Sequence, residues 1–378
     1  MLKYGVTARG CLRIAALLLC CACRRDDPHL PTIVITSPVH REVIQRDERD
    51  AAVLRIRGAI SGDPSRVEAR LVVMPGGTGK QTAWVELPLP RVFGGGALNG
   101  RVPVFAGGWY ALEVRAWKGS ALLAQARVEK IGVGEILVIA GQSNAANSGS
   151  TRLRPAEDRV STWNRRGWSW AGDPQPLATG REGSPWPRLG DLLVRRLQVP
   201  VGIVSVAVGG SPIHEWLYWA TWRKHGECYV KFREALRAPL RSGAGSRGPR
   251  AVLWHQGETD VEIGTSTEVY ARKLAKVIAQ SRRDAGFDIP WLIAGASYIG
   301  RGSPENEAAI RAGQRAVCDG KLTFEGAVTD ELRVGYRSDA VHFNEKGLKE
   351  HARLWFEAII NTVLKESTAS HLVSVKLD

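Results

Sequence analysis

The chain is poor in the residues from which metal centres, redox pairs and membrane spans are built. Its 378 residues include six cysteines. Four of these, Cys11, Cys20, Cys21 and Cys23, crowd the N-terminus and leave only Cys228 and Cys318 for the body. Two cysteines so far apart form neither a metal-ligand spacing nor a Cys-x-x-Cys pair. They read as two buried thiols, or as a single disulfide if the chain is exported. No later apolar run approaches the ~20 residues that span a bilayer. The net charge of +14 comes without a helix-turn-helix, zinc-knuckle or RNP-type pattern, and its arginines are dispersed. Charge of that kind speaks to solubility and steering, so no nucleic acid is expected as a partner. His214-Glu215 lacks the second His of a zinc helix. Residues 74–81 (MPGGTGKQ) look superficially like a phosphate loop, but Met74 stands where Gly is required and Gln81 where Ser or Thr is required. They read as a hairpin loop. No metal and no cofactor are expected.

What is present begins with an address. Lys3, Arg9 and Arg13 precede a short apolar run at 14–22, which Arg24, Arg25, Asp26 and Asp27 end abruptly. A basic start, a short apolar stretch and small residues at its end describe a secretory signal over residues 1–23. Cys23 after Ala22 adds the pattern of a lipoprotein cleavage site, with Cys20 where Leu is usual. The expectation is an exported protein, periplasmic, extracellular or held at the cell envelope by an N-terminal lipid. That anchor would be its one membrane contact.

With 44% hydrophobic and 24% charged residues, the remainder reads as folded and long enough for about two domains. Residues 32–130 read as all-β. Val67, Ala69, Leu71 and Val73 alternate with outward residues, as do Val85, Leu87 and Leu89, and Tyr110, Leu112, Val114 and Ala116. Turn residues separate these runs at Ser61-Gly62-Asp63-Pro64, Pro75-Gly76-Gly77 and 94–96. The pattern suggests a β-sandwich of immunoglobulin or fibronectin type. From 132 to 365 the rhythm changes. Continuous apolar runs at 136–140, 201–208, 251–254, 291–294 and 322–328 alternate with amphipathic segments. Tyr270, Leu274, Val277 and Ile278 share one helical face, as do Leu348, Ala352, Trp355, Phe356 and Ile359. Buried strands separated by helices imply an α/β domain with a parallel sheet covered on both faces. Residues 366–378 read as a tail. The stretch 148–187 lacks periodicity and reads as a substrate-shaping loop.

In parallel sheets the chemistry sits just beyond the carboxyl ends of the strands. There the sequence places Gly141-Gln142-Ser143-Asn144, then Gly209-Gly210-Ser211, then His255-Gln256-Gly257-Glu258-Thr259-Asp260, and finally Asp339-Ala340-Val341-His342. Taken singly, each has a plain reading: an N-cap serine, a turn, a charged loop, a surface Asp beside a solvated His. Taken together they supply a hydroxyl nucleophile, unobstructed backbone N–H groups, an amide side chain and an Asp–His pair, the parts of an acyl-transfer site.

The segments GEILVIAGQSN around Ser143, VGGSPIHEW from Val208 to Trp216, WHQGETD from Trp254 to Asp260 and DAVHF from Asp339 to Phe343 resemble the SGNH/GDSL hydrolase superfamily. The closest likeness is to its carbohydrate-esterase branch of sialate O-acetylesterases and acetylxylan esterases. The resemblance implies a flavodoxin-like three-layer α/β/α domain behind a small β-sandwich. It also implies roles at the matching positions. Ser143 is the nucleophile, His342 the base and then the acid, and Asp339 its orienting carboxylate. Glu258 is an auxiliary carboxylate that could share that task. The oxyanion hole takes N–H groups of Ser143 and Gly209, with Gly210 as the alternative bearer, and the side chain of Gln256. Gln142, Asn144, His255 and Trp216 are candidate substrate contacts.

The expected function is a serine esterase that removes acetyl or other small acyl groups from carbohydrate hydroxyls. An acetylated carbohydrate is its partner, and no protein partner is expected. Two other readings stay open: an SGNH lipase or thioesterase on other acyl esters, and a non-catalytic exported carbohydrate-binding protein. Of 13 tryptophans, Trp163, Trp168, Trp170, Trp186, Trp216, Trp219 and Trp222 crowd the segments near this site, either to stack on sugar or to pack a core or lid.

Overall fold

Strand β8 (Ala121–Gly141) explains the change of rhythm in the sequence. It is one strand of 21 residues. Its first half is partly exposed, whereas Ile131 to Gly141 is buried throughout. The computed structural model describes residues 31–89, 95–217, 227–237 and 248–365. The leader, the tail, Gly94, Trp219 and Trp222 lie outside these residues.

Before β8 come β1 (Ile33–Ser37), β2 (Val43–Gln45), β3 (Ala51–Ser61), β4 (Arg66–Thr78), β5 (Val85–Leu87), β6 (Gly95–Phe105) and β7 (Gly107–Lys118). β1, β3 and β6 form an antiparallel sheet, and β5, β4, β7 and the first half of β8 pair antiparallel in that order. Leu54 and Ile56 of β3, Val102 of β6, Leu71 of β4 and Leu112 of β7 share one core. Period-two patterning places these residues on inward faces. Pro75-Gly76-Gly77, expected as a turn, lies inside β4, where the register with β7 shifts between Val73 and Thr78. An irregularity in a ladder has the composition of a turn because both relax regular pairing.

The second half of β8 sits in a sheet of different character. It is followed by β9 (Val160–Trp163), β10 (Trp168–Trp170), helix α1 (Trp186–Leu197), β11 (Val201–Ser205), α2 (Glu227–Arg237), β12 (Ala251–His255), α3 (Glu258–Glu262), α4 (Thr267–Ala285), β13 (Trp291–Gly295), α5 (Pro304–Ala316), β14 (Thr323–Val328) and α6 (Glu345–Asn361). The strand order is β10-β9-β11-β8-β12-β13-β14. Every pairing is parallel except that of β10 with β9. Ile136, Val138 and Ala140 of β8 pack with Phe232 of α2, Leu274 of α4 and Ile310 of α5. Leu137 and Ile139 pack with Leu193 of α1 and Trp355 of α6. Strands buried on alternate sides by helices read as continuous apolar runs, which is why these were visible in the sequence. The chain is thus of mixed α/β class.

The region expected to be a structureless loop at 148–187 carries β9, β10 and the start of α1. Val160, Ser161, Thr162 and Trp163 are all buried, and runs that short show no periodicity.

Glu135 ties the two sheet regions together. Its carboxylate is 0% exposed. It accepts from Arg46 Nε at 2.6 Å, Arg250 Nε at 2.7 Å and Gln45 Nε2 at 2.8 Å. A buried carboxylate is tolerated only with partners of this kind. Cys228 and Cys318 are both free, which excludes the disulfide alternative, and burial pushes each thiol up to about 12.

Candidate active site

β8 ends at Gly141, whose φ is +133°. A Cβ there would lie 1.9 Å from the His255 carbonyl oxygen of β12. Glycine is required to end β8 pressed against β12, and the chain turns outward immediately afterwards. Ser143 opens a single 3-10 turn, Ser143–Ala145, with Gln142 rather than Ser143 at the cap position. Ser143 is therefore not a capping serine. A three-residue turn has no helix dipole of consequence, so Ser143 gains no electrostatic help from a helix start. Among the described residues, the Ser143 N–H donates to no acceptor.

The second strand end arrives beside it. Past β11 the chain continues along β8, with Val206 N donating to Ile139 O at 2.9 Å and Val208 N to Gly141 O at 2.8 Å. Gly209 follows. A Cβ on Gly209 would lie 3.9 Å from Ser143 Cβ, so the two residues form one corner. Its N–H donates to Thr179 Oγ1 at 2.6 Å. Gly210, at φ +70°, faces open space.

The third strand end is occupied differently from expectation. Gln256 is 0% exposed. Its Nε2 donates to Asp260 Oδ2 at 2.6 Å and also meets Gln142 Oε1 at 3.1 Å and Ser211 O at 3.2 Å. The Tyr270 hydroxyl lies 2.8 Å from its Oε1. Both amide hydrogens thus have interior acceptors, and neither is available to an oxyanion. Gln256 is a strut beneath the site, not the oxyanion donor its position implied. Asp260 completes the strut by accepting from Ile213 N at 2.7 Å and Thr265 Oγ1 at 2.7 Å.

The candidate substrate contacts are also interior. Gln142 Oε1 accepts from Gly257 N and Thr259 N. His255 is 1% exposed and its Nε2 lies 3.3 Å from Glu258 Oε1. Trp216 is fully buried against Trp254 and Phe232, with its indole N–H on Ser211 Oγ. Asn144 donates to Glu258 Oε1 at 2.9 Å and to Val341 O at 3.2 Å. All four are buried within the densely packed strand ends. Trp186 is likewise buried, with its N–H on Ala145 O beneath the serine turn. Trp170, at 39%, is the exposed member of the described tryptophans named above.

The fourth segment pairs its own residues. His342 Nδ1 and Asp339 Oδ2 are 2.9 Å apart, and Asp339 Oδ1 accepts the N–H groups of Val341 and His342, each at 2.6 Å. Burial raises the Asp339 carboxyl, but these donors outweigh it and hold it below the ordinary value. A carboxylate on Nδ1 places the proton there and leaves Nε2 as the basic nitrogen. Among the described residues, no hydrogen bond joins His342 to Ser143 or to Glu258. Asn144, which bonds Val341, brings the two chain segments together. Glu258 belongs to the interior instead. Burial raises its carboxyl, while His255 and Asn144 beside it bring it below the ordinary value.

Sequence reasoning missed Arg337. Its Nε donates to Leu332 O at 2.7 Å and its Nη1 to Val341 O, and its guanidinium lies 4.3 Å from the Phe343 ring centroid. It pins the loop that carries His342. After that loop, Asn344 caps α6 by accepting from Gly347 N at 2.9 Å. Thr179 was missed as well, since nothing in its local sequence marks it. Among the described residues, no cluster of three or more His, Cys, Asp or Glu side chains could hold a metal ion.

Comparison with known proteins follows the same lines. The profile of the family described as carbohydrate esterase, sialic acid-specific acetylesterase matches residues 133–361. No curated protein matches the chain. The crystal structure of a novel carbohydrate acetylesterase from Xanthomonas citri is similar at TM-score 0.55 and 19% identity, covering 88% of this chain and 76% of that one. A protein from Arabidopsis thaliana is similar at TM-score 0.50 and 21% identity, covering 60% of this chain and 98% of that one. At these identities the likeness is one of fold. The family match spans most of the chain and includes all four strand-end segments, so the chain belongs to the sialic acid-specific acetylesterase family of carbohydrate esterases and is a carboxylic ester hydrolase.

Proposed function

We propose that this enzyme removes O-acetyl groups from carbohydrates by a Ser-His-Asp acyl-enzyme mechanism. The observation that carries the reading is the His342–Asp339 pair, held in the orientation a general base needs and tied to the residue after Ser143 through Val341. His342 Nε2 takes the Ser143 proton as Oγ attacks the ester carbonyl. The oxyanion forms at the corner of Ser143 and Gly209, taking the Ser143 N–H, which has no acceptor among the described residues. His342 then protonates the departing sugar oxygen, and water repeats the cycle on the acetyl-serine.

The reading includes the finer architecture: an SGNH-type three-layer α/β/α domain over 132–365 behind an immunoglobulin-like sandwich over 32–130. It also includes a leader at 1–23 that directs export, which mass spectrometry of the mature N-terminus tests. An intact Met1 in the mature protein overturns the export assignment. The test of function is acetate release from acetylated glycans and p-nitrophenyl acetate. Ser143→Ala and His342→Ala are expected to abolish it. Full activity of Ser143→Ala would refute the mechanism.

A further inference from the structure

We propose that the Thr179 hydroxyl is the side-chain oxyanion donor of this site, polarised from behind by the Gly209 N–H. The proposal rests on the esterase reading above and deepens it.

Gly209 has one backbone hydrogen, and Thr179 Oγ1 accepts it at 2.6 Å. An oxyanion could take that hydrogen only by displacing the threonine. The hydroxyl, however, accepts through a lone pair and keeps its own O–H to donate. Among the described residues, that O–H has no acceptor. Its place suits the task. A Cβ on Gly209 would meet Thr179 Oγ1 at 3.4 Å and Ser143 Cβ at 3.9 Å, so hydroxyl, glycine and nucleophile share one corner. Thr179 is half-buried there.

The hydroxyl is also held in advance. Thr179 N donates to Ala207 O at 3.0 Å, and Thr179 O accepts from Asn147 N at 2.9 Å. Asn147 braces the segment further, donating from Nδ2 to Gln175 O at 3.0 Å and accepting from Gln175 N at 2.7 Å. Both backbone groups of Thr179 are thereby paired. A hydroxyl that accepts from an N–H becomes a stronger donor. As charge develops on the carbonyl oxygen, the O–H···O⁻ bond becomes charge-assisted, without transfer of the proton. Donors fixed before the reaction stabilise the transition state most. The vacancy in the machinery supports the assignment independently: Gln256, the side-chain donor expected from the sequence, has both amide hydrogens committed to the interior.

The test compares Thr179→Val, which keeps the branched shape but lacks the hydroxyl, with Thr179→Ser, which retains it. Valine is expected to lower kcat on an acetyl ester ~10²–10³-fold, the usual loss for one oxyanion donor, with KM little changed. Serine is expected to restore most of the rate. Thr179→Ala, expected to match valine, serves if valine fails to fold. A Thr179→Val enzyme at or above the wild-type kcat would overturn the proposal, because the hydroxyl would then only occlude Gly209 in the resting enzyme. Equal losses in the valine and serine variants would overturn it as well. Failure of the underlying esterase reading is distinguishable: Ser143→Ala would then keep its activity, whereas failure of this proposal alone leaves Ser143→Ala inactive and Thr179→Val active.

Discussion

Asn144 donates one amide hydrogen to Glu258 Oε1 at 2.9 Å and the other side of the same nitrogen meets Val341 O at 3.2 Å. One side chain next to Ser143 therefore holds both the third strand end and the loop of His342. Asn144→Ala removes both links and leaves the buried Glu258 carboxylate with His255 as its remaining side-chain partner. The expected result is a loss of about 1–3 kcal/mol in stability together with a fall in kcat, read by urea unfolding and initial rates. A variant as stable and as active as the wild type would show that the link is incidental.

The two carboxylates near the site meet different partners. Asp339 meets His342, while Glu258 faces inward. Asp339→Asn is expected to lower kcat by on the order of 10²–10⁴, since an amide supports the wrong imidazole tautomer, with little change in stability because Asp339 is exposed. Glu258→Gln should chiefly reduce stability. Measuring kcat and the unfolding midpoint for both variants decides the matter, and the opposite ranking would transfer the orienting role to Glu258. The depressed Asp339 pKa adds a sign. Its negative charge is present above the ordinary carboxylate value of 3.8 and is lost only as pH falls through the lower folded value. Asp339 therefore does not limit activity at about pH 5.

Gln256 now carries a different expectation from the one its motif suggests. It joins Gln142, Ser211, Asp260 and Tyr270 in a buried network. Gln256→Ala removes one hydrogen-bond partner each from Asp260, Gln142, Ser211 and Tyr270, a buried bond typically contributing about 0.5–1.5 kcal/mol and more to a charged group. A marked drop in thermal midpoint is expected. A variant with unchanged midpoint but a kcat lowered a hundredfold would return Gln256 to the oxyanion hole.

His351 gives the fold an acid sensitivity. It is fully buried, its Nε2 accepts from the Trp355 indole, and its ring lies 4.8 Å from that of His255. Burial first, then the charges of His255 and Arg337, hold its pKa well below 6.5. Above pH 6.5 neither the folded nor the unfolded chain protonates this site. Below it, the unfolded chain binds a proton that the folded chain refuses, so stability falls as pH drops toward the folded value, by up to about 1.4 kcal/mol per pH unit. His351→Gln keeps an acceptor for Trp355 and removes the titration. Urea midpoints between pH 6.5 and about 5.5 should fall less steeply in this variant. Identical slopes would assign the sensitivity to other groups.

The amino-acid order alone determined the elements whose cause is local. Alternating residues marked β4, β5 and β7, and unbroken apolar runs marked β8, β11, β12 and β13, because burial on one face or on two leaves its period in the chain. The Asp339–His342 pair was legible because its members stand three positions apart. The pairing of Gly209 with Thr179 spans 30 residues, and that of Asn144 with Val341 spans 197. Such contacts leave no period and no spacing to read. The same limit hid the direction in which Gln256 points and the unbroken passage of β8 between two kinds of sheet. Residue type and strand-end position specified which groups could do acyl-transfer chemistry. Tertiary packing decided which of them are tied up in the interior, because a side chain's hydrogens go to whichever acceptors the folded interior brings within reach.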